Sequence, residues 1–165
     1  MQILRRWCIR TVAFGLLAAI GLAQSLEVRK FYKLEFTVRE VDGTRALSSR
    51  TYSMVAANSR ADSPNFSIRA GSKVPIPSSP GSFFELGVNI DCYAIRELEN
   101  ELSLNVTAEI SSAQDATAPT SPIIRQNKWS SSVVVPIRKP TLIFSSDDLT
   151  TKRQIQLELT ATPIK

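Results

Sequence analysis

The sequence predicts an all-β protein, an antiparallel β-sandwich of about eight strands. Three observations carry that expectation. Beyond residue 26, apolar and polar residues alternate with period two through most of the chain, the mark of half-buried strands. Clusters of Gly, Pro, Ser, Asn and Asp separate the alternating runs, and such clusters make turns. No stretch beyond residue 26 carries the i, i+3, i+4 apolar spacing of an amphipathic helix longer than a turn.

The chain opens on a different pattern. Arg5, Arg6 and Arg10 precede an apolar run of 13 residues, Thr11–Ala23, that ends in small residues. This is the layout of a secretory signal peptide, and the run is shorter than the roughly 20 residues a spanning helix needs. Residues 1–25 are therefore expected to be a cleaved signal peptide of bacterial type, and residues 26–165 a single β-rich domain. Cys8 precedes the apolar run, so it is not a lipid-modified cysteine. Of 20 Lys+Arg, three lie in the leader, leaving 17 against 15 Asp+Glu, a net +2 for the rest. Charges of both signs are scattered, as on a solvated surface. Arg29, Lys30 and Lys33, interleaved with Phe31 and Tyr32, form too short a basic run for a nucleic-acid face. Without Cys8, Cys92 has no partner for an intramolecular disulfide. It shares the alternation of Phe84, Leu86, Val88 and Ile90, so it is expected to be a small buried hydrophobe.

The elements follow in order. Tyr32, Leu34, Phe36 and Val38 alternate with Lys33, Glu35, Thr37 and Arg39 in a first strand. Asp42-Gly43 is a favoured tight-turn dipeptide. A second strand covers Ala46–Ala57, with Tyr52 and Met54 inward. Asn58–Asn65 is turn-rich, and Phe66–Ala70 makes a short strand. Pro75, Pro77, Pro80 and Gly81 mark an irregular loop, because proline removes a ladder donor. Phe84–Ala94 and Leu102–Ile110 read as a long antiparallel hairpin, reversed at Arg96–Asn100. Ser111–Pro122 is a small-residue loop, followed by a strand over Ile123–Val135. Pro136 and Pro140 bracket a break. Thr141–Phe144 and Ile155–Ala161 complete the set, with Ser145–Lys152 between them.

The chemistry points away from catalysis. Histidine is absent, which excludes His-based triads and His-ligated metals. One cysteine outside the leader excludes the usual zinc sites. Neither a nucleophile elbow nor a phosphate-cradling or dinucleotide-binding glycine loop is present. Glu97, Glu99 and Glu101 offer oxygens for a hard cation such as calcium, but a solvated hairpin tip explains them better. Asp147-Asp148 reads as a turn before the last strand. Asn65-Phe66-Ser67 and Asn105-Val106-Thr107 match the glycosylation sequon, which carries no meaning in a bacterium. No catalytic residue, metal ligand or cofactor site is assigned, and the chain is expected not to be an enzyme.

Residues 71–146 contain a series of segments that resemble the secretin domain, the outer-membrane pore module of type II and III secretion and type IV pilus systems. Val74-Pro75 resembles that family's Val-Pro before a loop. Phe84-Glu85-Leu86-Gly87-Val88-Asn89-Ile90 resembles its aromatic-x-x-Gly-Val-x-Leu strand. Leu102–Ser112 resembles the next strand, with its Glu-x-Ser ending. Pro122-Ile123-Ile124 and Trp129–Val135 resemble the strand after that. The likeness covers 76 of 165 residues. Secretins usually continue into a Gly-Gly pair, where this chain has Pro140–Ser146. The chain also has no room for periplasmic ring-building domains and ends without an amphipathic lip helix. The resemblance therefore implies the secretin β-architecture rather than a self-sufficient pore.

The function expected is an exported, non-catalytic structural or protein-interaction module of the cell envelope, periplasmic or secreted. Its contacts would be an envelope partner or a second copy, made through sheet edges. One alternative is a periplasmic ligand-binding sandwich with its pocket at Asn58–Asn65, Pro75–Ser82 or Ser111–Pro122. Another is a small outer-membrane barrel. Against the barrel stand the short segments Phe66–Ala70 and Thr141–Phe144, the 10 scattered aromatics outside the leader, and the non-aromatic Thr162–Lys165 ending.

Overall fold

A computed structural model describes residues 29–59, 66–76, 79, 81–114, 123–148 and 153–165. The proposed leader, residues 1–25, lies outside the described residues. Eight strands run in chain order: β1 (Phe31–Asp42), β2 (Arg45–Ala57), β3 (Phe66–Pro75), β4 (Phe83–Leu98), β5 (Glu101–Gln114), β6 (Ile123–Pro136), β7 (Thr141–Asp147) and β8 (Arg153–Ile164). They form two four-stranded antiparallel sheets, ordered β2-β1-β8-β7 and β3-β4-β5-β6. The second sheet is a simple meander. The first is closed by its last strand, with Phe31 of β1 opposite Ile164 of β8.

Local sequence explains the joints. The β1–β2 loop is Gly43-Thr44, closed by the Asp42–Arg45 pair. Gly43 has φ +59°, the positive value that a two-residue hairpin loop of II′ type needs at its first position. Glu99 and Asn100 turn β4 into β5, with Glu99 at φ +51°. Between β6 and β7 the chain crosses from one sheet to the other. Ile137 N–H donates to the Asn100 carbonyl at 2.9 Å and Arg138 N–H to the Ala161 carbonyl at 2.8 Å. These bonds satisfy donors at a point where Pro136 and Pro140 offer none.

The core lies between the sheets. Tyr32, Leu34 and Phe36 of β1 and Leu157, Leu159 and Ala161 of β8 face Val88, Ile90, Cys92 and Ile95 of β4. Leu102, Leu104, Val106 and Ala108 of β5 complete the opposite wall. The alternation expected from the sequence is therefore real. Cys92 is fully buried, and burial, with the nearby Asp91 charge, pushes its thiol up to about 12.

Several strands outrun their expected limits. β3 continues five residues past Ala70, to Pro75, as an edge strand, the one position in a sheet where proline is tolerated. Its ten residues remove one of the length arguments against a barrel. β4 continues past Ala94, and the reversal shrinks from Arg96–Asn100 to Glu99-Asn100. The cause is a bulge between Tyr93 and Arg96, where Ala94 takes φ +52°. Phe84, expected inward, is more than one-third exposed, because β4 pairs with β5 only from Gly87 onward. Among the described residues the eight strands form two sheets rather than one closed sheet: no ladder pairs β2 with β3 or β6 with β7.

Candidate functional site

Three features of the sandwich have chemistry to offer: a polar clasp at one end, a cleft at the other, and the sheet edges. The clasp is a product of the Ala94 bulge. Two residues per partner residue at that point invert the phase of β4. Val88, Ile90 and Cys92 face inward before it, and Ile95 after it. Glu97 shares the phase of Ile95 and so meets β1. Its Oε2 accepts the Tyr32 hydroxyl at 2.5 Å and the Lys30 ammonium at 2.6 Å. Burial, and then the bond to Glu97, pushes the Tyr32 hydroxyl well above its ordinary value. The Lys30 bond, and then the Tyr32 bond, holds Glu97 below the usual carboxylate range. The clasp ties the two sheets together and satisfies a phenol that is 1% exposed.

The three glutamates noted in the sequence therefore part company. Glu97 goes inward, Glu99 sits in the turn, and Glu101 lies opposite Leu98. Among the described residues, no group of three or more acidic or cysteine side chains is placed to hold a metal. In the basic run near the start of β1, Lys30 pairs with Glu97 and Lys33 with Glu35 at 2.8 Å. Asp147 accepts Gln154 Nε2 at 2.8 Å, and Asp148 pairs with Arg125 of β6.

At the opposite end the sandwich opens. Gly71 of β3 and Gly87 of β4 stand directly opposite each other. A Cβ on Gly71 would lie 1.8 Å from the Leu86 carbonyl oxygen, and one on Gly87 would lie 2.2 Å from that of Ala70. Only two glycines allow the strands to come this close. Ser111 secures the spot: Gly87 N–H donates to Ser111 Oγ at 3.1 Å, and Ser111 Oγ donates to the Glu85 carbonyl at 3.3 Å. Beyond it β4 stays with β3, and β5 stays with β6. A cleft of about 810 Å³ lies between the inner faces of the two sheets here. Val38, Tyr52, Leu86, Ile110 and Ile155 form its apolar walls. Arg50, Ser48, Ser72 and Asn127 add polar groups. Of the loops expected at a pocket, Ser111, Ser112 and Ala113 line this cleft; residues 60–65, 77, 78, 80 and 115–122 of those loops lie outside the described residues. Asn58, which begins another of them, is at the clasp end, where its N–H meets the Lys30 carbonyl at 3.0 Å. The cleft was hidden in the sequence because its lining comes from all eight strands or their ends, one to four residues at a time.

The outer faces of both sheets are wet. Arg39 pairs with Glu158 across the first sheet at 3.1 Å, and Thr37 bonds Thr51 at 3.0 Å. On the second, Arg69 pairs with Asp91 at 2.7 Å and Thr107 bonds Ser130 at 2.9 Å. A lipid-facing wall needs an apolar band, and each Arg or Lys at mid-membrane costs about 2–4 kcal/mol. Exposed large apolar residues are divided between flanking strands (Leu47 and Val55 on β2, Ile123 and Val134 on β6, Leu142 on β7) and central ones (Phe31 on β1, Phe83, Phe84 and Leu98 on β4, Ile164 on β8).

No family model matches the chain, and no curated protein matches it. Solved structures do. The type II secretion secretin XcpQ of Pseudomonas aeruginosa superposes with a TM-score of 0.51 at 10% identity, over 82% of this chain and 56% of that one. The type II secretin GspD of enteropathogenic Escherichia coli gives 0.48 at 8%, over 83% and 66%. The type III secretion secretin InvG of Salmonella gives 0.42 at 9%, over 83% and 62%. The chain thus spans between half and two thirds of the length of these secretin chains. The likeness to XcpQ is one of fold, and it agrees with the secretin-like segments in residues 71–146: this protein is an antiparallel sandwich of secretin-like architecture.

Proposed function

We propose that this protein is a non-catalytic structural module of a cell-envelope assembly that adds to further copies of itself through its sheet edges. The observation that carries the reading is the unblocked flank of the first sheet: among the described residues β2 pairs on one side only, with β1, and carries the exposed Leu47 and Val55. An edge strand offers unpaired N–H and C=O groups and is normally blunted by proline, charge or brevity. β2 is 13 residues long and has no proline. Topology supports repetition. Every neighbouring pair in the first sheet is antiparallel, so β2 and β7 run in opposite directions. Placing β7 of one copy beside β2 of another in the same orientation continues an antiparallel sheet. Such head-to-tail contacts close into rings when the rotation permits. The secretin-like fold supports an envelope pore setting, and the leader expected from the sequence at residues 1–25 supports export to the periplasm or beyond, with the outer membrane as the other destination.

The test is cysteine crosslinking in intact cells. Thr51→Cys on β2 and Ser145→Cys on β7 place thiols on opposite flanks of one sheet, and neighbouring positions allow for register. Double variants should give a ladder of crosslinked species in the envelope fraction, and single variants should not. A protein recovered as a monomer, with no ladder at any register, refutes the proposal.

A further inference from the structure

We propose that the cleft between the sheets binds a single-chain amphiphile with one negative charge, a long-chain carboxylate, and that Arg50 holds its head group. The volume, about 810 Å³, falls within the roughly 300–1,000 Å³ of small-molecule sites. The walls are apolar, formed by Val38, Tyr52, Leu86, Ile110 and Ile155. Val38, Tyr52 and Ile110 pack against the edge of the core, and all five walls are half-buried, so among the described residues part of their apolar surface faces the cleft.

The charge of the cleft selects the head group. Arg125 is matched by Asp148, and Glu40 is matched by Arg153 at 3.0 Å. Arg50 lines the same cleft, opposite Val38 in the β1–β2 register. It is exposed and forms no ion pair among the described residues. Among the described residues this leaves Arg50 as the one guanidinium of the cleft without a carboxylate partner. That matches a monoanion; a phosphate dianion calls for more than one cation. A guanidinium fork also fits the two oxygens of a carboxylate. Ser48 and Ser72 line the cleft as well and supply neutral hydroxyls for the same oxygens. An acyl chain against the apolar walls, with its carboxylate at Arg50, uses the apolar surface and the unmatched guanidinium of the lining.

The assay uses the full chain as purified from expressing cells and cis-parinarate, whose fluorescence rises when its chain leaves water. Saturable binding at one probe per chain is expected, with displacement by oleate. Oleyl alcohol, which has the same chain and no charge, should displace about tenfold less well or worse, the scale of one charge-assisted contact. Arg50→Gln should weaken parinarate by a similar factor with its circular dichroism unchanged. Arg50→Lys, which keeps the charge without the fork, should fall between. Absence of saturable binding, equal displacement by the alcohol, or an unaltered Arg50→Gln titration overturns the proposal. The outcome is independent of self-association, since binding is counted per chain.

Discussion

The glycine pair where β3 meets β4 gives the sharpest prediction. Gly87→Ala places a methyl 2.2 Å from the Ala70 carbonyl oxygen and 2.5 Å from Gly71 Cα. Both obstacles are backbone atoms, so no side chain can swing aside, and relief requires β3 to move by about 1 Å to reach ordinary contact. Gly87 also has φ +136°, a conformation that costs an L-residue about 1–3 kcal/mol. Overpacking adds about 1–3 kcal/mol. The expected loss is about 2–6 kcal/mol, a large part of the roughly 5–15 kcal/mol typical of a domain. Since β3 is an edge strand, it is able to peel away, which caps the cost at its pairing with β4. Gly43→Ala is the control, because Gly43 has φ +59° and nothing within 4 Å of its added methyl. It tests strain without crowding. Urea unfolding followed by circular dichroism measures both. Equal losses for the two variants would refute the claim that crowding at the β3–β4 crossing shapes the open end.

The other predictions concern the clasp, the core and the edge. Glu97→Leu should cost more than Tyr32→Phe in urea unfolding, about 1–3 against 0.5–1.5 kcal/mol. The first strands a buried phenol, whereas the second leaves Glu97 its Lys30 bond. Stability should fall on both flanks of neutral pH. The depressed Glu97 contributes stability that is present above the unfolded carboxylate value near 4.3 and lost as acid protonates it. Cys92, raised to about 12, and Tyr32, raised further, contribute stability that is complete below their unfolded values of about 8.5 and 10 and is lost as pH rises beyond them. Thermal melts from pH 3 to 11 check both limbs, and Tyr32→Phe should soften each. Leu104→Ala, at a 1% exposed site, should cost about 2–5 kcal/mol. Leu47→Asp on the β2 edge should leave the urea midpoint of the single chain unchanged within about 0.5 kcal/mol, yet reduce crosslinked ladders.

Strand identity and facing were legible because burial in a two-layer sandwich imposes a period of two, and Tyr32-Leu34-Phe36 or Leu102-Leu104-Val106 state it directly. Strand ends were not. β4 continues through a one-residue bulge at Ala94, and a bulge reads as the end of alternation when it is only a change of phase. β3 keeps pairing up to Pro75 because an edge strand tolerates what a central one refuses. The clasp escaped for the same reason as the bulge that builds it: Glu97 looked like one of three turn carboxylates. The open cleft escaped because facing predicts which side a residue points to, and not whether the other sheet is there to meet it; Phe84 and Leu86 have core-like phase without core burial. The segments resembling secretins lie where local pairing is dense, in the β3–β6 meander.

One topological fact bears on how the protein is made. The meander from β3 to β6 consists of hairpins between neighbours in sequence, which close quickly and early. The first sheet has to wait: β1 receives its central partner β8 only after more than a hundred further residues have emerged. Until then Leu34 and Phe36 have half a floor to rest on. The newborn chain therefore carries a finished lower storey beneath an unfinished upper one, and a truncation that spares every residue of β3–β6 but removes β8 would still leave the building without a roof.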